Sequence, residues 1–375
     1  MAEHDSHDLL DWLTLLFVAG IGTGRLNLLL ARLKTPAAIL GSPPDRLADV
    51  AGIGPGCVRR LTDPNLLRKA RSQAEQELDR LQDADASIIC RTDPRYPAQL
   101  KTIQDPPLLL YCRGDIDALH GQAVALVGSR AATTYGRRTA HTLARDLAAA
   151  GIIVVSGLAL GIDSEAHRGA LAGGGRTVAV LGCGLNVVYP RNQKRLYEEI
   201  AGQGCLVSEY PLHTRPDRYR FPARNRIISG LAAATVIVEA TLRSGSLITA
   251  RLALDQGREV FAVPGRIDSP KSEGAHRLIQ QGAHLVHDSA DICSELELGC
   301  RPPDIAPETV AGSQPETGSD GDRVLACLDV YPMDIETIAV HSGLDLSRLH
   351  GVMLDLELKG LVRQLPGQQY ERITG

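Results

Sequence analysis

Gln122-Ala-Val-Ala-Leu-Val127-Gly-Ser-Arg130 is followed by a helix-length amphipathic stretch and then by Ile152-Ile-Val-Val155-Ser-Gly-Leu-Ala-Leu-Gly-Ile-Asp163. Each quoted piece opens with a short apolar run and breaks into glycine. The pattern repeats at 177–181, 205–207, 235–238, 260–263 and 284–286, each run followed by an amphipathic segment. Apolar strands alternating with helices predict an α/β fold with a parallel sheet covered on both faces. Ligands of such sheets sit outside the carboxyl ends of the strands, so the loops after these runs are where a site is expected.

Those loops carry anion-binding chemistry. The first holds Gly128, Ser129 and Arg130, a tight turn, a hydroxyl and a bidentate guanidinium. The second offers Ser156 and Gly157, and the third leads through Gly182 and Gly184 to Arg191, Asn192 and Lys194. No GxGxxG fingerprint or Walker A lysine is present, which disfavours dinucleotides and ATP. The densest signal is Arg215-Pro-Asp-Arg218-Tyr219-Arg220-Phe221-Pro222-Ala-Arg224-Asn225-Arg226, five arginines in twelve residues interleaved with two aromatics. Guanidinium groups pair with phosphates while aromatic faces stack on unpaired bases, the chemistry of single-strand binding. A helix is expected to start near Ala223, with Pro222 just ahead of it. Ser244, Gly245 and Ser246 are placed to cap a further helix and hold an anion there. Glu239, at the end of an apolar run, suits either a general base or a carboxylate that holds a pocket arginine, and the second role is favoured.

Outward from this core, residues 8–70 read as short helices with an internal echo. Val18-Ala-Gly-Ile-Gly-Thr-Gly-Arg25 returns as Val50-Ala-Gly-Ile-Gly-Pro-Gly-Cys57. The echo resembles a pair of helix-hairpin-helix (SAM-like) units, although glycine turns between packed helices that bind nothing would look the same. Prolines at 94, 97, 106 and 107 mark a connector, with an edge strand expected at 108–111. Residues 299–321 are rich in Pro, Gly, Ser, Asp and Glu and read as a flexible linker. The expected division is 1–75 helical, 76–298 Rossmann-like core, 299–321 linker and 322–375 winged helix: three helices and a hairpin around Pro366-Gly367.

Composition limits the function. The 375 residues carry a net charge of -4, so nucleic-acid binding must come from local clusters rather than from the chain as a whole. The eight cysteines form no CxxC pair and the eleven histidines no ligand ladder, so neither metal nor cofactor is expected, and the thiols are expected free in a reducing cytoplasm. No run suggests a leader or a membrane span.

Taken together, Gly128-Ser-Arg130, Ser156-Gly-Leu-Ala-Leu-Gly-Ile-Asp163, Phe221-Pro-Ala-Arg-Asn-Arg226, Ser244-Gly-Ser246 and Phe261-Ala-Val-Pro-Gly265 resemble the DNA-processing protein A (DprA, or Smf) family over essentially the whole chain. The resemblance implies a non-enzymatic cytoplasmic protein. It implies that this protein protects single-stranded DNA in natural transformation, loads the RecA recombinase onto it and works as a homodimer. It also implies that DNA contacts fall on Arg130 and the Phe221 to Arg226 cluster, and self-association on His276, Ile279 and Leu285. The core is also similar to LOG-type nucleoside-monophosphate phosphoribohydrolases. Where those carry PGGxGTxxE, this chain reads Arg243-Ser-Gly-Ser-Leu-Ile-Thr249 with no glutamate at that spacing, which counts against the enzyme.

Overall fold

The computed structural model describes residues 3–297, 320–328, 333–365 and 367–373. The expected linker falls almost wholly on 298–319, outside the described residues, as does Pro366. The chain divides into two compact units, the first holding the described residues through Glu297 except 133–135, the second beginning with Asp320.

The first unit opens with helices α1 (Glu3–Phe17), α2 (Thr23–Leu33), α3 (Pro36–Leu40), α4 (Pro44–Ala48), α5 (Pro55–Thr62) and α6 (Pro64–Asp83). Helix α6 runs straight through the boundary expected at residue 75, because Asp63 caps its start and an apolar face continues through Ala74 and Leu81. The echoed glycines Gly20 and Gly52 both take left-handed φ, at 80° and 85°, and bury Ile21 and Ile53 behind them. The two copies interlock. Leu28, on α2, lies against Gly52, and Arg60, on α5, lies against Gly20 and donates to the Ala19 carbonyl at 2.8 Å.

The core follows as β1 (Ser87–Cys90), α7 (Ala98–Lys101), β2 (Leu109–Gly114), β3 (Ala123–Val127), α8 (Thr134–Ala149), β4 (Ile153–Ser156), α9 (Ile162–Ala172) and β5 (Thr177–Val180). It continues with α10 (Lys194–Gln203), β6 (Cys205–Ser208), α11 (Arg220–Leu231), β7 (Ala234–Ile237), α12 (Ser246–Asp255), β8 (Glu259–Ala262), α13 (Glu273–Gln280), β9 (His284–Leu285) and α14 (Ser289–Glu295). Nine strands form one sheet in the order β1-β2-β6-β5-β4-β3-β7-β8-β9. Everything from β6 to β9 is parallel, while β1 and β2 add antiparallel pairings. The strand expected at an edge is β2, and it is not the edge. Its first four residues are buried because β1, which lacks any alternating pattern, covers its outer side. Strand order reverses at β3, which pairs with β4 on one side and β7 on the other. A reversal of this kind opens a crevice at the carboxyl ends of the strands.

The second unit contains α15 (Asp320–Cys327), β10 (Met333–Asp334), α16 (Ile335–Ser342), α17 (Leu346–Leu358), β11 (Val362–Leu365) and β12 (Gln369–Arg372). Its three strands pair in the order β10-β12-β11 beside the three helices, a winged helix. Asp334 and Asp345 cap α16 and α17, and Gly343 ends α16 in the left-handed region. Cys57, Cys90, Cys112, Cys183, Cys205 and Cys327 are free thiols, but Cys293 is disulfide-bonded, against the expectation of free thiols throughout. Among the described residues no helix is long and apolar enough to cross a membrane.

Candidate nucleic-acid interface

At the crevice lies a cleft of about 690 Å³. Its first wall is the loop after β3. The Ile162 amide donates to the Ser129 carbonyl at 3.2 Å, and Lys271 donates to the Ala131 carbonyl, so the loop is held from two sides. Gly161, at φ 80°, brings the start of α9 onto this loop; any side chain there would strike the Ser129 and Arg130 carbonyls. The Arg130 side chain is left exposed, with its guanidinium 5.4 Å from the centre of the Phe221 ring. Tyr189, 41% exposed, stands on the same ring at 5.4 Å and 32°. A cation and a second aromatic ring therefore gather around Phe221 in the cleft.

Helix α11 begins at Arg220, three residues before the expected start. Proline fits anywhere in a first turn, where its missing N–H has no partner, so Pro222 lies inside the helix instead of ahead of it. The helical period then sorts the arginine cluster. Phe221, Arg224, Asn225 and Ile228 share the face that lines the cleft. Arg220, Ala223 and Arg226 face a separate cleft of about 530 Å³ with Asp105, Glu209 and Tyr210. Arg218 stacks on the 69% exposed Tyr219 in the preceding loop, 4.6 Å from its ring centre.

The residues expected at the site separate into three sets. Gly128, Ser129, Arg130, Phe221, Asn225, Ser244, Gly245 and Ser246 line the cleft. The Ser244 and Ser246 hydroxyls lie 2.7 Å apart at the start of α12. Gly157 lines a smaller cavity of about 120 Å³ behind Phe221.

Three others are committed to the fold. Ser156 is fully buried and donates to the Leu126 carbonyl at 2.6 Å, clipping β4 to β3. Arg224, 4% exposed, touches the cleft only at its floor. It donates to the Gly157 carbonyl at 2.7 Å and to the Val180 carbonyl, beside the buried Asp163 carboxylate. Burial pushes the Asp163 carboxyl up and the Arg224 guanidinium down, and their mutual attraction offsets part of each shift. Arg226 is held by Glu209 in a two-pronged pair at 2.8 and 2.6 Å, and its Nε donates to the Asp105 carbonyl at 2.8 Å.

The third set lies elsewhere. Arg191, Asn192 and Lys194 are exposed on the turn into α10, outside the residues lining the cleft or the small cavity. Of the self-association residues, Leu285 is 51% exposed on β9, the outer strand of the sheet, and Ile279 is half-buried on α13. His276 instead meets the backbone of Gly265, its Nε2 3.0 Å from the carbonyl.

Residue-type reasoning missed Tyr189 and the roles of Asp163 and Lys271. Tyr189 carries a signal, an aromatic beside Arg191 in the loop after a strand. Nothing local marks Lys271, more than a hundred residues from the carbonyl it holds. Among the described residues no three His, Cys, Asp or Glu side chains gather as a metal would need.

The family described as DNA recombination-mediator protein A matches residues 87–297, and the DprA winged helix domain matches residues 308–368. Protein Smf of Escherichia coli (strain K12) is 42% identical over 302 residues, 79% of this chain and 80% of that one. Among solved structures, DNA processing protein A from Streptococcus pneumoniae superposes with a TM-score of 0.65 at 36% identity, covering 75% of this chain and 95% of that one. DNA processing protein A from Helicobacter pylori, whose structure concerns its single-stranded DNA binding mode, gives 0.52 at 34% identity over 56% of this chain and 95% of that one.

Proposed function

Because the chain belongs to the DNA recombination-mediator protein A family, we propose that its switch-point cleft binds single-stranded DNA. The observation that carries this reading is the cluster of Arg130, Phe221 and Tyr189 in the cleft. The guanidinium meets a phosphate while the ring faces take unstacked bases, which a duplex keeps inside its stack. Gly128 and Ser129, on the Arg130 loop, and the Ser244-Gly245-Ser246 turn add polar groups to the cleft. Stacking and phosphate contacts carry no base identity, so binding is expected to tolerate sequence and to weaken steeply with salt.

The same reading includes handing the coated strand to the RecA recombinase in the cytoplasm, during transformation and recombination, without catalysis by this chain. It also includes a homodimer formed through the outer strand β9 and α13. Leu285 and Ile279 remain on that surface, while His276 acts from behind it by holding the Gly265 turn.

A gel shift with single-stranded and duplex oligonucleotides at several salt concentrations, with and without RecA, tests the proposal. Preferential, salt-sensitive retention of single strands is expected, and equal retention of duplex would discard it. For the association face, Ile279→Asp is expected to give a folded monomer by light scattering; a persisting dimer would place the interface elsewhere.

A further inference from the structure

In winged-helix folds the third helix is the one that usually enters a duplex groove. Here that helix is α17. Leu349, Met353 and Leu356 turn inward to the core of the second unit. Residues 346, 350, 354 and 358 recur at every fourth position and share the outward face. Leu346, Leu354 and Leu358 on it are 47%, 59% and 80% exposed, and Leu361, just past the helix, is 40% exposed. A run of leucines left in water on so small a unit marks a surface that is covered in use.

The charges around this face decide what covers it. The two cations of α17 and its cap lie off the leucine face, each beside a carboxylate. Arg348 donates to Asp320 at 2.6 Å, and Lys359 to Asp355 at 2.5 Å. The polar residues among the leucines are Ser347, His350 and the acidic Glu357, while Asp355 lies on the flank with Arg348 and its own partner Lys359. Residues 322–375 hold five basic and eight acidic side chains. A phosphate backbone needs cations free to replace its counterions, and this face presents leucines and the Glu357 carboxylate instead. A second copy docked symmetrically would bring acidic borders together, which costs energy.

We propose that the outward face of α17 docks a protein partner whose apolar patch is bordered by lysine or arginine side chains. The leucines supply the buried contact, and Glu357 selects the sign of the border. This goes beyond the reading of the core and does not depend on it, since the core cleft shares no residue with α17.

The test uses the full chain carrying Leu358→p-benzoylphenylalanine, irradiated in the cells that produce it, with the cross-linked peptide sequenced. That peptide is then synthesised and titrated against the intact protein and against Leu358→Glu, Leu358→Lys and Glu357→Lys. Far-UV circular dichroism and a thermal melt of each full-length variant that match the unsubstituted chain show that the second unit is folded, and an unchanged gel shift with single-stranded DNA shows that the core is. The expected peptide has apolar side chains between lysines or arginines. Leu358→Lys is expected to weaken its binding about tenfold or more. Leu358→Glu should weaken it less, because the new carboxylate meets a basic border, and Glu357→Lys should also weaken it. An adduct with nucleic acid, an adduct with a second copy, no adduct, or a greater loss with Leu358→Glu than with Leu358→Lys would each overturn the proposal.

Discussion

Helix α11 in the core and helix α17 in the second unit are of similar length, and both carry basic residues, yet they present opposite surfaces. On α11 the helical period spreads the arginines over different environments: Arg224 buried beside Asp163, Arg226 clamped by Glu209, and Phe221 turned to the open Arg130. On α17 both nearby cations are held by surface carboxylates and leucines take the outward face. A count of basic residues therefore says little about anion binding. What matters is which carboxylate each cation meets, and whether burial or solvent surrounds the pair.

The sharpest way to break this comparison is at the buried strut. Arg224→Ala strands the Asp163 carboxylate and removes the donor to the Gly157 and Val180 carbonyls. It is expected to lower stability by about 3–5 kcal/mol, as loss of one partner from a buried charged pair does. Urea unfolding reads this directly; an unshifted midpoint would mean that Arg224 is not structural. Arg130→Ala probes the other member of the comparison. It should leave unfolding unchanged and weaken single-strand binding by about 1.5–3 kcal/mol, the worth of a charge-assisted contact. An unchanged dissociation constant at fixed salt would remove Arg130 from the site.

Acid sharpens the contrast between the units. His167, fully buried on α9, is held down to about 3 by desolvation first and by Arg224 and Arg168 next. Its folded value lies below the unfolded 6.5, so the stability it contributes is complete above pH 6.5 and is lost as pH falls toward 3. At pH 5 the loss is about 2 kcal/mol. His167 lies on α9 in the first unit, so this loss belongs to the core. His167→Asn should flatten the fall in urea midpoint between pH 7 and pH 5, and an equal fall in both proteins would assign the acid sensitivity to other groups. The smallest expected effect is that of the tail. Removing residues 300–375 should leave single-strand affinity within a few-fold of the intact chain, or raise it slightly, because α17 lends no cation on its outward face. Loss of most of the affinity from a folded truncation would reverse the contrast drawn above.

The strand-helix alternation of the core was legible because parallel strands buried on both faces read as continuous apolar runs. β1 was not, because Ser87-Ile-Ile-Cys90 is too short to show a period and owes its place to pairing with β2. Gly128, Arg130 and Phe221 were legible as residues of the strand-end cleft, since glycine at a strand end and an aromatic among arginines are rare local patterns. Ser156 and Arg226 looked equally suitable and serve the interior. A hydroxyl or guanidinium carries no mark of whether it will face a ligand or a backbone carbonyl thirty residues away.

By itself the sequence determined the strand-helix alternation of the core from β3 onward, the winged-helix tail, and the presence of an arginine-aromatic cluster at the strand ends. Those follow from periodicity, caps and turn residues, which act within a few residues of one another. Only the tertiary structure decided which arginine is open and which is buried. That choice depends on Asp163, Glu209 and Gly182, which approach α11 from other elements, and on the energy of placing each charge near a carboxylate or in water.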